Sequence, residues 1–325
     1  MTGALVTVIG EALIDLVPRG DPRDYTAHPG GSPFNVAVAL ARLRNRTALM
    51  ARMGDHGFGR ILRDAAAAEN VDLTATADAA EPTTLAVVAL EGPGQASYDF
   101  YLKGTADWQW TLPELRRLPA DTGVVHFGSI ASWTPPGSKL IDQVVSEARG
   151  GGVLITYDPN VRPPVLGTPA RGRQMVERSV RRAHLVKASR EDLGWLYPSR
   201  TADEVASRWI ELGSVLVVVT DGADGAILYR SGARPLRRPG RTVRVVDTIG
   251  AGDAFTGGLL SGLVRRGMHD AQRVAQMSDT ELADVVDEAV LISSLTCERA
   301  GADPPRLANG RQPERALTVE DFVDS

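Results

Sequence analysis

Short apolar runs recur along this chain, separated by longer stretches in which apolar residues return every three or four positions. Residues 5–9, 124–127, 153–157, 184–187 and 215–220 are rich in valine, leucine and isoleucine, and several lack a polar face. A strand reads this way when both of its faces are buried, as in a parallel sheet. Residues 59–69, 138–148, 171–182, 202–212 and 281–300 have helical character. The alternation predicts an α/β fold, a doubly wound and mainly parallel sheet flanked by helices. Ligands should bind beyond the carboxyl ends of its strands.

Two stretches break the rhythm. Residues 13–28 and 83–103 are β-like, and the second is divided by Glu91, Gly92, Pro93 and Gly94, a turn signal. There is no internal repeat, low-complexity tract or interdomain linker. The two stretches therefore read as a small β insertion into a single domain spanning residues 1–325.

Composition acts mainly by exclusion. A chain of 325 residues with 43% hydrophobic content can bury an ample core. A net charge of −4 gives no electrostatic reason to expect nucleic acid or an acidic membrane as partner. Arg234, Arg237, Arg238, Arg241 and Arg244 are a local exception, read first as a solvated hairpin and second as a contact for nucleotide phosphates. Cys297 is the only cysteine, so an intramolecular disulfide or a cysteine-rich zinc site is ruled out, and it is expected as a small buried hydrophobe. The N-terminal residues lack a basic region, and Glu11 and Asp15 interrupt their apolar stretch, unlike a signal peptide. No apolar run approaches membrane-spanning length, so the expected location is the cytoplasm.

The candidate chemistry centres on Asp247, Thr248, Ile249, Gly250, Ala251, Gly252 and Asp253. Residues 242–246 before it read as a strand and residues 254–263 after it as a helix. Two glycines let backbone amides approach a ligand closely, and a helix start favours an anion there. A carboxylate in that place would repel phosphate unless it serves as a proton acceptor. Asp253 therefore reads as a general base beside amides that hold a phosphoryl group. Taken alone, the run also suits a glycine-rich loop with an aspartate cap. Far upstream, Gly30, Gly31, Ser32, Pro33, Phe34, Asn35, Val36 and Ala37 open another helix.

Together the two segments resemble the two signatures of the ribokinase-like (PfkB-type) carbohydrate kinases. The resemblance runs along nearly the whole chain. Its other pieces are residues 10–15, Gly54 to Gly59 in the order Gly, Asp, His, Gly, Phe, Gly, then Asp158, Pro159, Asn160, Val161 and Arg162, and finally Thr220, Asp221, Gly222, Ala223, Asp224 and Gly225. It implies transfer of the γ-phosphoryl group of ATP to a hydroxyl of a small sugar, with residues 13–28 and 83–103 forming a β lid over the sugar. Asp15, Gly30, Gly31 and Asn35 match positions that hold the sugar, with Lys103 and Asn160 beside them. Gly250, Ala251, Gly252 and Asp253 match the catalytic turn, and Arg162 offers a planar cation to the transferring phosphates. Lys187, Ser189, Thr220, Gly222 and Gly225 fall on the nucleotide side.

Magnesium is expected with ATP. The family usually places an asparagine and, three residues later, a glutamate near that ion, whereas Ser189 and Asp192 stand here. Either Glu191 or Asp192 would make the contact, through water. Asp247 and Gly301 match the surroundings of a monovalent cation, K+. Related lids often pair, so a homodimer is the expectation.

The departure at Ser189 and Asp192 is a fructokinase-like trait, as are residues 30–37 and 101–107. Leu102 and Lys103, however, stand where fructokinase-type sequences usually carry an arginine. Fructose, 2-keto-3-deoxygluconate and other keto sugars therefore stay open. So do plainer roles: Asp15 as a turn residue, Arg162 as a structural ion pair, and 220–225 as a hairpin turn. A noncatalytic sugar-binding or sensing protein on the same fold is the rival class, which would need neither Asp253 nor its turn. A nicotinamide-dependent oxidoreductase would want a glycine fingerprint after the first strand, and residues 10–15 do not form one.

Overall fold

The computed structural model describes residues 3–92, 95–115, 118–308 and 315–323. The apolar runs become the strands of one eight-stranded sheet, in the order Leu236–Arg238, Ala226–Tyr229, Leu216–Thr220, Leu185–Ser189, Leu154–Asp158, Thr122–Gly128, Leu5–Ile9, Thr47–Met50. The last six in that order run parallel, and the first two pair antiparallel at one edge.

Alternate residues of these strands enter different cores. Val124, Leu154, Leu185, Leu216 and Val218 pack with Phe34, Leu259 and Val285 from the helices Ser32–Arg42, Ala251–Arg265 and Asp279–Cys297. Val125, Ile155, Val186, Val217 and Val219 pack on the other face with Val145, Val176 and Trp209, from Gly137–Gly150, Pro169–Val180 and Ala202–Glu211. Burial on both faces explains why the runs lack a polar side. Each fully buried side chain of this size contributes about 1.5–3 kcal/mol relative to exposure. Because the central strands are parallel, their carboxyl ends share one edge of the sheet, and the loops carrying Glu11, Ser129, Asn160 and Ser189 gather there.

The two stretches outside the βα rhythm pair with each other. Asp21–Gly30, Leu13–Arg19, Leu85–Gly92 and Gln95–Tyr101 form a second, four-stranded sheet in that order. Asp15 lies inside the strand Leu13–Arg19 and not in a turn, opposite His28 on one side and Ala86 on the other, and Ala86 is opposite Phe100. Directly opposed residues share a face, so Asp15 and Phe100 lie on the same side, with Tyr98 two residues from Phe100. Pro93 and Gly94, half of the predicted turn, lie outside the described residues.

Two expectations are corrected. Residues 242–246 form no strand. Val245 and Val246 are 59% and 58% exposed, and the amides of Val246 and Asp247 bond instead to the Cys297 carbonyl, at 2.8 and 3.2 Å. Valine content suggested a strand, but nothing covers these valines and the sheet already ends at Leu236–Arg238. Cys297, at the end of the long helix, is half-buried and not a core residue. Of the five arginines, Arg237 and Arg238 sit on that edge strand, and Arg238 pairs with Asp287 at 2.5 Å.

Candidate active site

Two helices bring the site together. Ser32–Arg42 packs against Ala251–Arg265 closely enough that a Cβ on Gly257 would stand 2.6 Å from Ala39 Cβ. Their first turns meet at Asp253. The Ser32 hydroxyl donates to its Oδ1 at 2.6 Å and the Asn35 amide to its Oδ2 at 2.9 Å, joining residues 221 and 218 positions apart. Pro33 occupies the first turn and Asn35 lies inside the helix, so Asn35 is not its N-cap. Asp253 is 8% exposed, and burial raises its carboxyl above the usual range against the lowering effect of those two hydrogen bonds and of Lys187.

Asp253 occupies the third position of its helix, and Gly250 precedes the first. Gly250 is left-handed, with φ 75°, and a Cβ there would meet Ala302 Cβ at 2.5 Å, so the turn requires glycine on both counts. The amides of Gly252 and Asp253, in the first helical turn, have no intrahelical acceptor and sit at the positive end of the helix dipole. This is an anion cradle with a carboxylate on its inner side.

Among the sugar-side candidates, Asp15, Gly30, Gly31 and Asn35 converge on the same place. The Asp15 carboxylate lies against Gly30, and Gly31, with φ 99°, faces the Glu11 carbonyl. Burial pushes the Asp15 carboxyl up to about 6, with Arg162 opposing and Asp253 adding to the rise. Asp15, Asp253 and Arg162 are thus electrostatic neighbours. Arg162 follows the strand Leu154–Asp158 and caps the short helix Pro163–Leu166. Asn160 adopts φ 39°, with its amide donating to Asp158 Oδ1 at 3.0 Å. Lys103 is exposed in the turn beyond Gln95–Tyr101.

The remaining candidates line neighbouring strand ends. Lys187 is buried and donates to Asp158 Oδ2 at 2.8 Å. Ser189 pairs in register with Thr220 on the next strand, and Gly222 and Gly225 follow in the turn to Ala226–Tyr229. An ion pair of 2.6 Å between Arg190 and Asp221 ties the two loops together. Gly301 donates its amide to Asp247 Oδ2 at 2.9 Å, and Ile249 donates to Oδ1 at 3.0 Å, so Asp247 and Gly301 meet beside the cradle.

Asp192 has a structural commitment. Its Oδ2 accepts the Ser189 amide at 2.9 Å while the Ser189 hydroxyl accepts the Asp192 amide, and its Oδ1 accepts the Val161 amide at 2.8 Å. This is a capping box with an added tie to the Asn160 loop. Glu191 beside it is exposed. Among the described residues no group of three or more His, Cys, Asp or Glu could hold a metal ion.

Some participants escape a reading of the sequence. Ser32 sits within the upstream motif, where its position next to glycine and proline gives no sign of a partner in a distant helix. Glu11 is buried, accepts the Ala131 amide at 3.0 Å and is raised by burial. Asp107, buried with Ala12 donating to it at 2.8 Å, is pushed up to about 7 by burial. Single acids outside a motif look like turn residues in sequence, so neither stands out. Tyr98, two residues from Phe100 and so on the same face of the second sheet as Asp15, is raised by burial and then by Asp15.

Residues 4–308 match the pfkB family carbohydrate kinase pattern. Fructokinase of Rhizobium leguminosarum bv. trifolii is 34% identical over 286 residues, covering 87% of each protein. A double mutant of fructokinase from Vibrio cholerae O395, solved with fructose, ADP and potassium ion bound, superimposes with TM-score 0.81 at 32% identity, over 93% of this chain and 95% of that one. Fructokinase from Xylella fastidiosa with bound ATP gives TM-score 0.84 at 27% identity, over 92% and 93%. Among the described residues no helix is long and apolar enough to cross a membrane. With a match across nearly its whole length and the two signature helices meeting at one buried carboxylate, the chain belongs to the pfkB family of carbohydrate kinases.

Proposed function

We propose that this kinase transfers the γ-phosphoryl group of ATP to a hydroxyl of fructose, with Asp253 as the general base. The observation that carries the reading is Asp253 itself, buried between Ser32 and Asn35 at a helix start whose amides are free to hold phosphate. Burial raises its proton affinity, which suits a base that must take a hydroxyl proton. Asp15, Gly30, Gly31, Asn35 and Asn160 are assigned to the sugar. Ser189, Thr220, Gly222 and Gly225 are assigned to the nucleotide.

Charge favours a neutral sugar over a sugar acid. Asp15, Glu11 and Asp253 gather at the acceptor end, and Arg162 is the cation acting on the first two. A carboxylate-bearing acceptor such as 2-keto-3-deoxygluconate would meet the carboxyl groups of Asp15 and Asp253, whereas fructose would offer hydroxyls to them. The names of the relatives point the same way.

ATP supplies the phosphoryl group, and Mg2+, when bound, supplies charge neutralisation across its phosphate oxygens. Glu191 is the carboxylate left for a water-mediated contact to that ion, because both Asp192 oxygens accept amides. Asp247 and the loop at Gly301 are assigned to K+. The second sheet, residues 13–30 with 85–101, is assigned as a lid that carries Asp15 onto the sugar. Tyr25 and Tyr101, 42% and 60% exposed on that sheet, suit lid pairing in a homodimer.

The test is ADP release in the presence of fructose, 2-keto-3-deoxygluconate, ribose, tagatose and adenosine. Fructose should give the highest kcat/KM, and Asp253→Asn should lower kcat by roughly a hundredfold to ten-thousandfold while both dissociation constants move far less. A higher kcat/KM for another acceptor overturns the sugar assignment. Turnover close to wild type in a folded Asp253→Asn protein overturns the base.

A further inference from the structure

Lys187 lies on the strand Leu185–Ser189 with its side chain buried. Its ammonium donates to Asp158 Oδ2 at 2.8 Å, and among the described residues no second acceptor takes its two remaining N–H groups. Asp158 is a hub. Its Oδ1 accepts the Asn160 amide at 3.0 Å, and its Oδ2 accepts the Thr256 hydroxyl, from the helix Ala251–Arg265, at 3.4 Å. Three elements converge on one carboxylate, and that convergence fixes the direction of the ammonium. It reaches the helix start, where a Cβ on Gly252 would stand 3.2 Å from Nζ. Burial by itself would favour the neutral amine. Asp158, then Asp192 and Asp253, outweigh it and hold Lys187 above its ordinary range, so the group is a cation at neutral pH.

The charges acting on Asp253 include Lys187 and Asp158, whereas Arg162 acts on Asp15 and Glu11. Lys187 is the cation in contact with the helix start.

We propose that Lys187 is a catalytic residue of phosphoryl transfer, a fixed cation at the helix-start amides that neutralises the moving group, and that Asp158 positions it. Arg162, the cation first assigned that task, serves the acceptor end. The inference rests on the kinase reading above. In the step, the acceptor oxygen bonds to the γ-phosphorus as the bond from phosphorus to the β,γ-bridging oxygen breaks. The electron pair of that bond leaves with ADP, and the hydroxyl proton passes to Asp253. Negative charge spreads over the equatorial oxygens during the transfer, and a preorganised cation there stabilises the transition state more than the ground state. A compact ammonium suits a gap that only the missing side chain of Gly252 leaves open.

The experiment compares wild type, Lys187→Met and the double variant Lys187→Met with Asp158→Asn, measuring kcat, ATP and fructose dissociation constants, thermal unfolding, and binding of ADP with aluminium fluoride, a mimic of the transferring group. Lys187→Met alone leaves Asp158 as a buried unpaired charge and should melt early, whereas the double variant removes both charges and should regain stability. In the double variant kcat should stay about a hundredfold to a thousandfold below wild type, the usual effect of losing one such electrostatic contact, with a matching loss of aluminium fluoride affinity. If turnover returns together with stability, the pair is only structural and the proposal fails. It fails equally if the loss lies in ATP affinity with kcat preserved. Wild-type protein that releases ADP with no acceptor would instead overturn the kinase reading, and this proposal with it.

Discussion

Asp15, half-buried and assigned above to a neutral sugar, faces opposing demands. Burial pushes its carboxyl up to about 6, so the folded protein holds that proton more tightly than the unfolded chain does. Stability from this group is therefore present below the unfolded value near 4 and lost as pH rises through about 6. Sugar binding runs the other way, since only the ionised form accepts two hydroxyl donors. The fructose KM should rise as pH falls through about 6. Asp15→Asn should flatten that profile, raise KM about tenfold to a hundredfold through loss of a charged acceptor, and raise the melting temperature at pH 7. A variant with an unchanged KM profile would remove Asp15 from the sugar site. Asp15, Asn35 and Asp253 could be named as candidates from the sequence because they stand in recognisable motifs. Glu11 and Asp107 were not, because an isolated acid shows its burial only once strands from distant parts of the chain surround it.

Among elements, five of the eight strands of the large sheet and both signature helices follow from period, runs buried on both faces for strands and glycine or Ser-Pro openings for helices, whereas the strand order is seen only in the fold. The pattern misled at residues 242–246, where β-branched residues lie exposed against the Cys297 carbonyl and no neighbouring strand exists to pair them. It also held a signal that the family comparison overrode. Ser189 followed three residues later by Asp192 is a capping-box spacing, and the structure uses it as one. A cap and a metal contact respond differently to mutation. Asp192→Ala should cost about 0.5–2 kcal/mol as a lost cap, and more for the orphaned Val161 amide, while the Mg2+ concentration for half-maximal rate stays where it was. A shifted Mg2+ requirement in a protein of unchanged melting temperature would return Asp192 to the metal.

Across the whole molecule, the candidate site draws residues from two sheets. Asp253, Lys187 and the anion cradle belong to the large sheet and its helices, whereas Asp15 and Tyr98 belong to the four-stranded sheet. A sugar whose hydroxyls reach both Asp15 and Asp253 links the two bodies, and a ligand can shift their relative position only through such differential contact. Closing them would also keep water from a phosphoryl group that water could otherwise attack. Fructose should therefore slow amide exchange over the strands Leu13–Arg19, Asp21–Gly30 and Leu85–Gly92, the strand that carries Asp15 and its two neighbours, whereas ADP alone, held by the large sheet, should protect mainly the turns at Gly222 and Gly250. Asp15→Ala should abolish the first effect and spare the second. At a sugar concentration about a hundred times its dissociation constant, the linked stabilisation is roughly 2.7 kcal/mol, enough to read in both exchange and thermal unfolding. Protection of the four-stranded sheet by ADP alone, or none at saturating fructose, would show that this sheet is not a lid driven by sugar, and that Asp15 acts from a fixed wall of the site.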